Sequence, residues 1–179
     1  TMTQEVMTAV TFEECIFTNC NFSETQFKRC TFRDCQFQNC DLSLLDVDYS
    51  IFQRSKFEEC KLIGVNWAKV GRIEWIEFRS CNLSYATFME LDLTNAVITD
   101  CLAKEATFAE TNLTEANCTY TDFTDSRFVR TNLTKADFRG ARNYAIAADL
   151  NTLKQAKFSL PEAVALLHGL DIILEDPTS

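Results

Sequence analysis

Nine cysteines and one histidine are the residues of this 179-residue chain whose types most suggest metal or nucleophilic chemistry. Cys15 and Cys20, like Cys35 and Cys40, stand five residues apart and look at first like paired ligands. Zinc needs four donors converging on one point. These cysteines recur instead: Cys20, Cys40, Cys60, Cys81 and Cys101 are spaced 20, 20, 21 and 20 residues. His168 falls in the last turn of an expected helix, where a positive charge is simply favourable. No Ser-His-Asp set, HExxH motif, Gly-rich phosphate loop or EF-hand loop occurs. The expectation is a protein with no catalytic site, no metal and no cofactor. What remains is electrostatics. Between residues 80 and 125 stand Glu90, Asp92, Asp100, Glu105, Glu110, Glu115, Asp122 and Asp125 against Lys104 alone, so this stretch carries −7 of a total of −9. Direct binding to nucleic acid or to an anionic membrane is disfavoured, and a cationic partner surface is favoured.

The elements that must position these groups are legible in a second periodicity. Phe recurs at 12, 17, 22, 27, 32 and 37. The series continues through Leu42, Val47, Phe52, Phe57, Leu62 and Trp67, slips by one residue at 68–72, and resumes from Ile73 to Phe138. Two residues before each of these lies a small side chain, as at Cys15, Cys30, Ala96, Thr111 and Ala136. Only Leu45, Ile76 and Leu91 are large there, and Leu45 is offset by the small Val47 beside it. A helix wants apolar residues at i, i+3, i+4 and i+7, and a strand wants unbroken alternation. Period five is neither. It is a very short strand and a corner, repeated, and stacked corners make a solenoid. Gly71, inside the slip, is expected to absorb an unusual backbone conformation.

Ala116-Asn117-Cys118, Thr131-Asn132-Leu133 and Ala136-Asp137-Phe138 resemble the consensus A-(D/N)-L-X-X of the pentapeptide-repeat family over residues 10–142. The resemblance implies an all-β solenoid, a right-handed quadrilateral β-helix with four repeats per coil. About 6.5 coils would make a rod on the order of 30 Å long at the usual strand spacing. The twenty-residue cysteines then stack on one wall as a reduced core column, while Cys15 and Cys20 lie on adjacent walls. The expected divisions are an N-terminal cap at 1–9, the β-helix at 10–142 and a C-terminal helical cap and dimerisation tail at 143–179. Ala145 to Gln155 reads as a short helix or turn. Ser159 is the expected N-cap of a helix at about 160–168, with Leu160, Val164, Leu167 and Leu170 on one face.

The resemblance is greatest to the group that protects type II topoisomerases: the Qnr quinolone-resistance proteins, the MfpA-type gyrase inhibitors and a microcin immunity protein. It implies a homodimer through Leu166, Leu167, Leu170, Ile172, Ile173 and Leu174. It also implies a DNA mimic that binds DNA gyrase or topoisomerase IV through the acidic stretch and protects it against quinolones or peptide toxins. The chain lacks the long projecting loop of many Qnr proteins, which weakens drug protection more than contact with gyrase. The alternative is a non-enzymatic scaffold using Tyr49, Trp75, Tyr85 or Tyr120. Hydrophobic residues make up 46% of the chain, enough for a folded core. The start, Thr1 to Glu5, has no basic or apolar signal region, and no apolar run approaches a membrane span. A cytoplasmic protein with reduced thiols is therefore expected.

Overall fold

The computed structural model describes residues 3–170 and 172. It is a parallel β-solenoid with four walls. Three-residue strands form because each repeat offers one large inward residue between two outward ones, and the next two residues turn the corner. On the second wall β2 (Thr11–Glu13), β5 (Thr31–Arg33), β7 (Ile51–Gln53) and β9 (Arg72–Glu74) pair in register, Phe12 on Phe32 on Phe52 on Ile73. On the third wall β3 (Ile16–Thr18), β6 (Gln36–Gln38), β8 (Lys56–Glu58), β10 (Glu77–Arg79) and β11 (Val97–Thr99) do the same. The first wall opens with β1 (Val6–Thr8) on β4 (Gln26–Lys28). Elsewhere single bridges at twenty-residue spacing continue the walls, such as Asn21 to Asp41 and Asn112 to Asn132.

Identical residues stack up the axis. Phe17, Phe37 and Phe57 are parallel at centroid spacings of 4.8 Å, and Phe88, Phe108 and Phe128 at 5.0 Å. The corner residue, two after each large one, takes φ between +48° and +61° from Gln4 to Gln155, almost without exception a non-glycine. Its N–H is held by the next coil, as in Glu14 N donating to Arg33 O at 2.9 Å. The small residue clips coils together. The Cys35 thiol donates to Phe12 O at 3.5 Å, and the Thr111 and Thr131 hydroxyls donate to Phe88 O and Phe108 O at 2.7 Å.

Three expectations need correction. The solenoid does not end at 142. Asn132 bridges Thr152, and β12 (Asp137–Phe138) pairs with β13 (Lys157–Phe158), giving eight rungs from Phe12 to Leu153 on the second wall. Leu153 and Phe158 stand twenty residues beyond Leu133 and Phe138, so the register was there to be read. At the other end Val6–Thr8 is already the first rung rather than a cap. Gly71 is not in the left-handed region; its missing side chain matters because a Cβ there would lie 2.9 Å from Tyr49 O. The left-handed glycines are Gly64 and Gly140.

The terminal helix is a 3-10 turn series, Glu162–Leu170. Ser159 does not cap it through its hydroxyl. Ser159 Oγ instead accepts from Gly140 N at 3.2 Å, closing the last corner, while Ser159 O receives Ala163 N. Ala165 and Leu166 pack on the core end; Leu160, Val164, Leu167 and Leu170 face outward. The side chain of His168 lies outside the described residues, as do Ile173 and Leu174.

Phe37 is 1% exposed and stacked on both sides. Phe37→Ala should cost about 3–5 kcal/mol, read as a lower urea midpoint with an unchanged slope.

Candidate functional site

The eight acids do not gather on one face. Glu90 and Glu110 occupy the corner between the first and second walls, Glu115 the next, Asp100 the next, and Glu105 and Asp125 the last. Asp92 and Asp122 lie on the second and fourth walls, where they bridge Asn112 and Arg142. What they share is a belt around the middle coils. Four are neutralised by neighbours: Glu110 by Arg130, Glu115 by Lys135 at 2.7 Å, Asp122 by Arg142 at 3.0 Å, and Glu105 by Lys104 at 3.8 Å. Glu90, Asp92, Asp100 and Asp125 have no ion pair among the described residues.

Asp122 is the most organised of the set. Desolvation works to raise its pKa. Hydrogen bonds from the Thr124 hydroxyl and N–H, from Asn143 and from Arg142 outweigh it and hold the carboxyl at about 2. A folded-state pKa depressed below the unfolded value near 3.9 adds stability that is full above that value and lost as pH falls through the folded pKa. Asp122→Asn should flatten the loss of thermal stability between about pH 4 and 2 relative to the parent.

The sequence reading missed one charge feature. Residues 126–158 hold seven bases, among them Arg127, Arg130, Arg139 and Arg142, against Asp137 and Asp149 only. This basic belt sits between the acidic coils and the C-terminal end. A dimer through that end would therefore present two acidic belts separated by basic coils, not one continuous negative rod. At that end Leu167, Leu170 and Ile172 are exposed, whereas Leu166 is half-buried against the core.

The thiols behave as core. All nine cysteines are free, and seven are buried. Cys20 is only half-buried because no coil lies beneath it, a departure from the fully buried column expected. Burial pushes the Cys40 thiol up to about 11, and a hydrogen bond shared with Cys101 pushes Cys81 to about 12. The bond with Cys81, then burial, raises Cys60 further. No group of three or more metal-ligating side chains converges among the described residues. Disulfide-exchange reagent should modify Cys40, Cys60, Cys81 and Cys101 slowly in native protein and at once on denaturation.

The exposed aromatics all stand at left-handed corners: Tyr49, Trp75, Tyr85 and Tyr120 are 70%, 67%, 53% and 63% exposed. Tyr120 lies along the corner over Gly140, where a Cβ would come within 2.5 Å of its ring. No helix among the described residues is long and apolar enough to cross a membrane.

Two family profiles match, "Pentapeptide repeat region" over residues 10–88 and "Pentapeptide repeats (8 copies)" over 92–128 and 106–142. No curated protein matches in sequence. Among solved structures the chain is similar to QnrB1, a plasmid-mediated fluoroquinolone resistance protein. A trypsin-treated variant superposes with a TM-score of 0.69 at 21% identity, covering 97% of each chain. A second gives 0.68 at 19%, covering 97% of this chain and 98% of that one. Full-length QnrB1 gives 0.55 at 19%, covering 96% and 97%.

Proposed function

The chain is a pentapeptide-repeat protein, and on that premise we propose that it binds DNA gyrase or topoisomerase IV in place of DNA, from the cytoplasm, without catalysis. The carrying observation is the acidic belt of the middle coils on a rod of near-duplex width. Walls about 10 Å apart plus side chains make a rod about 20 Å across. Eight rungs at about 4.8 Å span about 34 Å. The net charge of −9 is then one per about 4 Å, against one per about 1.7 Å for the duplex. The mimicry is partial: it steers encounter rather than replacing every phosphate contact. The likeness to QnrB1 supports the shape of the argument, since that protein confers fluoroquinolone resistance.

Homodimerisation through Leu167, Leu170 and Ile172 would hide apolar surface exposed at the end of the rod. Two acidic belts would then meet two separated basic patches of one partner. Light scattering should give about 41 kDa, twice the 20.5 kDa of one chain, and Leu170→Arg should halve it without loss of β-structure.

Reversing the four unpaired acids, Glu90, Asp92, Asp100 and Asp125, should slow association with gyrase about tenfold and reduce its salt dependence. Reversing Glu110 and Glu115, already neutralised, should matter less. The assay is supercoiling by purified gyrase across a titration of this protein, with and without a quinolone, beside a direct binding measurement. Absence of a complex, of inhibition and of rescue at micromolar protein would favour the scaffold reading, which rests on the exposed corner aromatics.

A further inference from the structure

The second wall is not continuous. Its four-stranded sheet ends at β9, in the middle of the rod. In neighbouring coils the N–H of the large residue and that of the corner residue each reach the next coil, as in Leu93 N to Asn112 O at 2.8 Å and Asn95 N to Thr114 O at 3.0 Å. The equivalent groups, Ile73 N–H and Trp75 N–H, should meet the carbonyls of Asp92 and Thr94. Neither bond is made among the described residues. The break is local. The same two coils are joined on the third wall by β10 and β11, and on the first by Trp67 N to Thr87 O at 2.8 Å.

The cause is packing. The extra residue of the slip draws this strand onto the coil before it, with Gly71 N and Arg72 N both donating to Ser50 O, at 2.8 and 3.4 Å. Ile76 lines the gap on one coil and Leu91 precedes it on the other, both large where other repeats are small. These are the two oversized residues at small inward positions without a small neighbour to offset them. Between the coils lies an open cavity of about 210 Å³ lined by Ile73 to Ile76 and Asp92 to Ala96. Its apolar floor leaves Ile73 only half-buried, where Phe32 and Phe52 below it are fully buried.

We propose that this gap in the second wall receives an extended basic segment of a partner protein, which completes the interrupted sheet. Unpaired donors at Ile73 and Trp75 on one rim and free carbonyls of Asp92 and Thr94 on the other are complemented together by another main chain. A cation alone would satisfy only the carbonyls. The rim sets the side-chain chemistry. No Lys or Arg lines the gap, and its two charges are Glu74 and Asp92. Glu74 is already bonded by Arg72 and Gln53, at 2.7 Å from the latter. Asp92 Oδ1 accepts from Thr94 and Asn112, and its Oδ2 has no partner among the described residues. Trp75, exposed beside it, offers an aromatic face to an Arg or Lys. This inference stands independently of the gyrase reading.

The test uses the full chain labelled with ¹⁵N and the peptide Ac-Thr-Arg-Val-Arg-Thr-NH2. The chain has two tryptophans, so two indole signals appear, assigned with Trp75→Phe. The Trp75 signal should move saturably and the Trp67 signal should not. The amides of Ile73 and Trp75 should exchange freely in the free protein and gain at least about tenfold protection with peptide. Methylating alternate peptide nitrogens, or replacing both arginines by citrulline, should each weaken binding about tenfold or more. Trp75→Ser should weaken it similarly. Leu91→Thr with Ile76→Ala, which restores the small inward pattern, should close the wall and abolish binding. Slow exchange at Ile73 and Trp75 in the free protein would overturn the gap. No saturable shift up to about 1 mM peptide would leave a merely hydrated cleft and overturn the proposal. Equal binding of the N-methylated peptide would overturn strand addition. Loss of gyrase binding on reversal of Glu90, Asp100 and Asp125 alone, with peptide binding at the gap retained, would separate the two readings.

Discussion

Every five residues the chain must turn a corner through the left-handed backbone region, and nearly all of those corners are non-glycine. Each such residue costs roughly 1–2 kcal/mol by itself. At nearly every corner, Trp75 being an exception, this cost is offset by an N–H hydrogen bond to the adjacent coil, so no coil is stable alone. Stability is built between neighbours, as repeat proteins require. The parallel Phe stacks follow from the same constraint: corners that superpose every twenty residues place like residues over like.

The small inward residue has a part in this that size alone does not reveal. Cys, Ser and Thr at that position donate to carbonyls of the preceding coil, as Cys60 does to Phe37 O at 3.3 Å and Thr121 to Ile98 O at 2.6 Å. Cys35, Cys40, Cys60 and Cys81 are therefore hydrogen-bonded core residues whose raised pKa values oppose reactivity. At Ile76 and Leu91 the clip is absent. Outward Asn and Asp add a local clamp, accepting from the N–H and hydroxyl two residues on, as at Asn112 with Thr114 and Asp122 with Thr124. The N-x-T triplets of the later coils are read as this clamp.

Function on such a scaffold is a matter of which outward positions are left unsatisfied. The middle coils carry the acidic belt, the last coils carry bases, and the axial stacking brings the two into contact. Charge that looks concentrated along the sequence is partly cancelled one coil away, because residues twenty apart are neighbours at about 4.8 Å. The exposed corner aromatics, the gap in the second wall and the apolar end of the rod are the remaining unsatisfied surfaces.

The solenoid, its inward residues and its slip were legible in the sequence because period five is a local rule that each repeat obeys by itself. The stacking of Cys20 to Cys101 followed from their spacing together with the four repeats per coil that the resemblance implied. The last coil was legible too, in Leu153 and Phe158, but was hidden by irregular residues between 143 and 152. Tertiary structure decided what depends on neighbours one coil away. It paired Glu110, Glu115 and Asp122 with later bases, turned Leu160 and Leu170 outward, gave Ser159 to the last corner rather than to the helix, and opened the wall above β9. None of these can be read from five-residue units, since each is set by the fit between coils: the slip is absorbed on three walls, while the second is interrupted above β9.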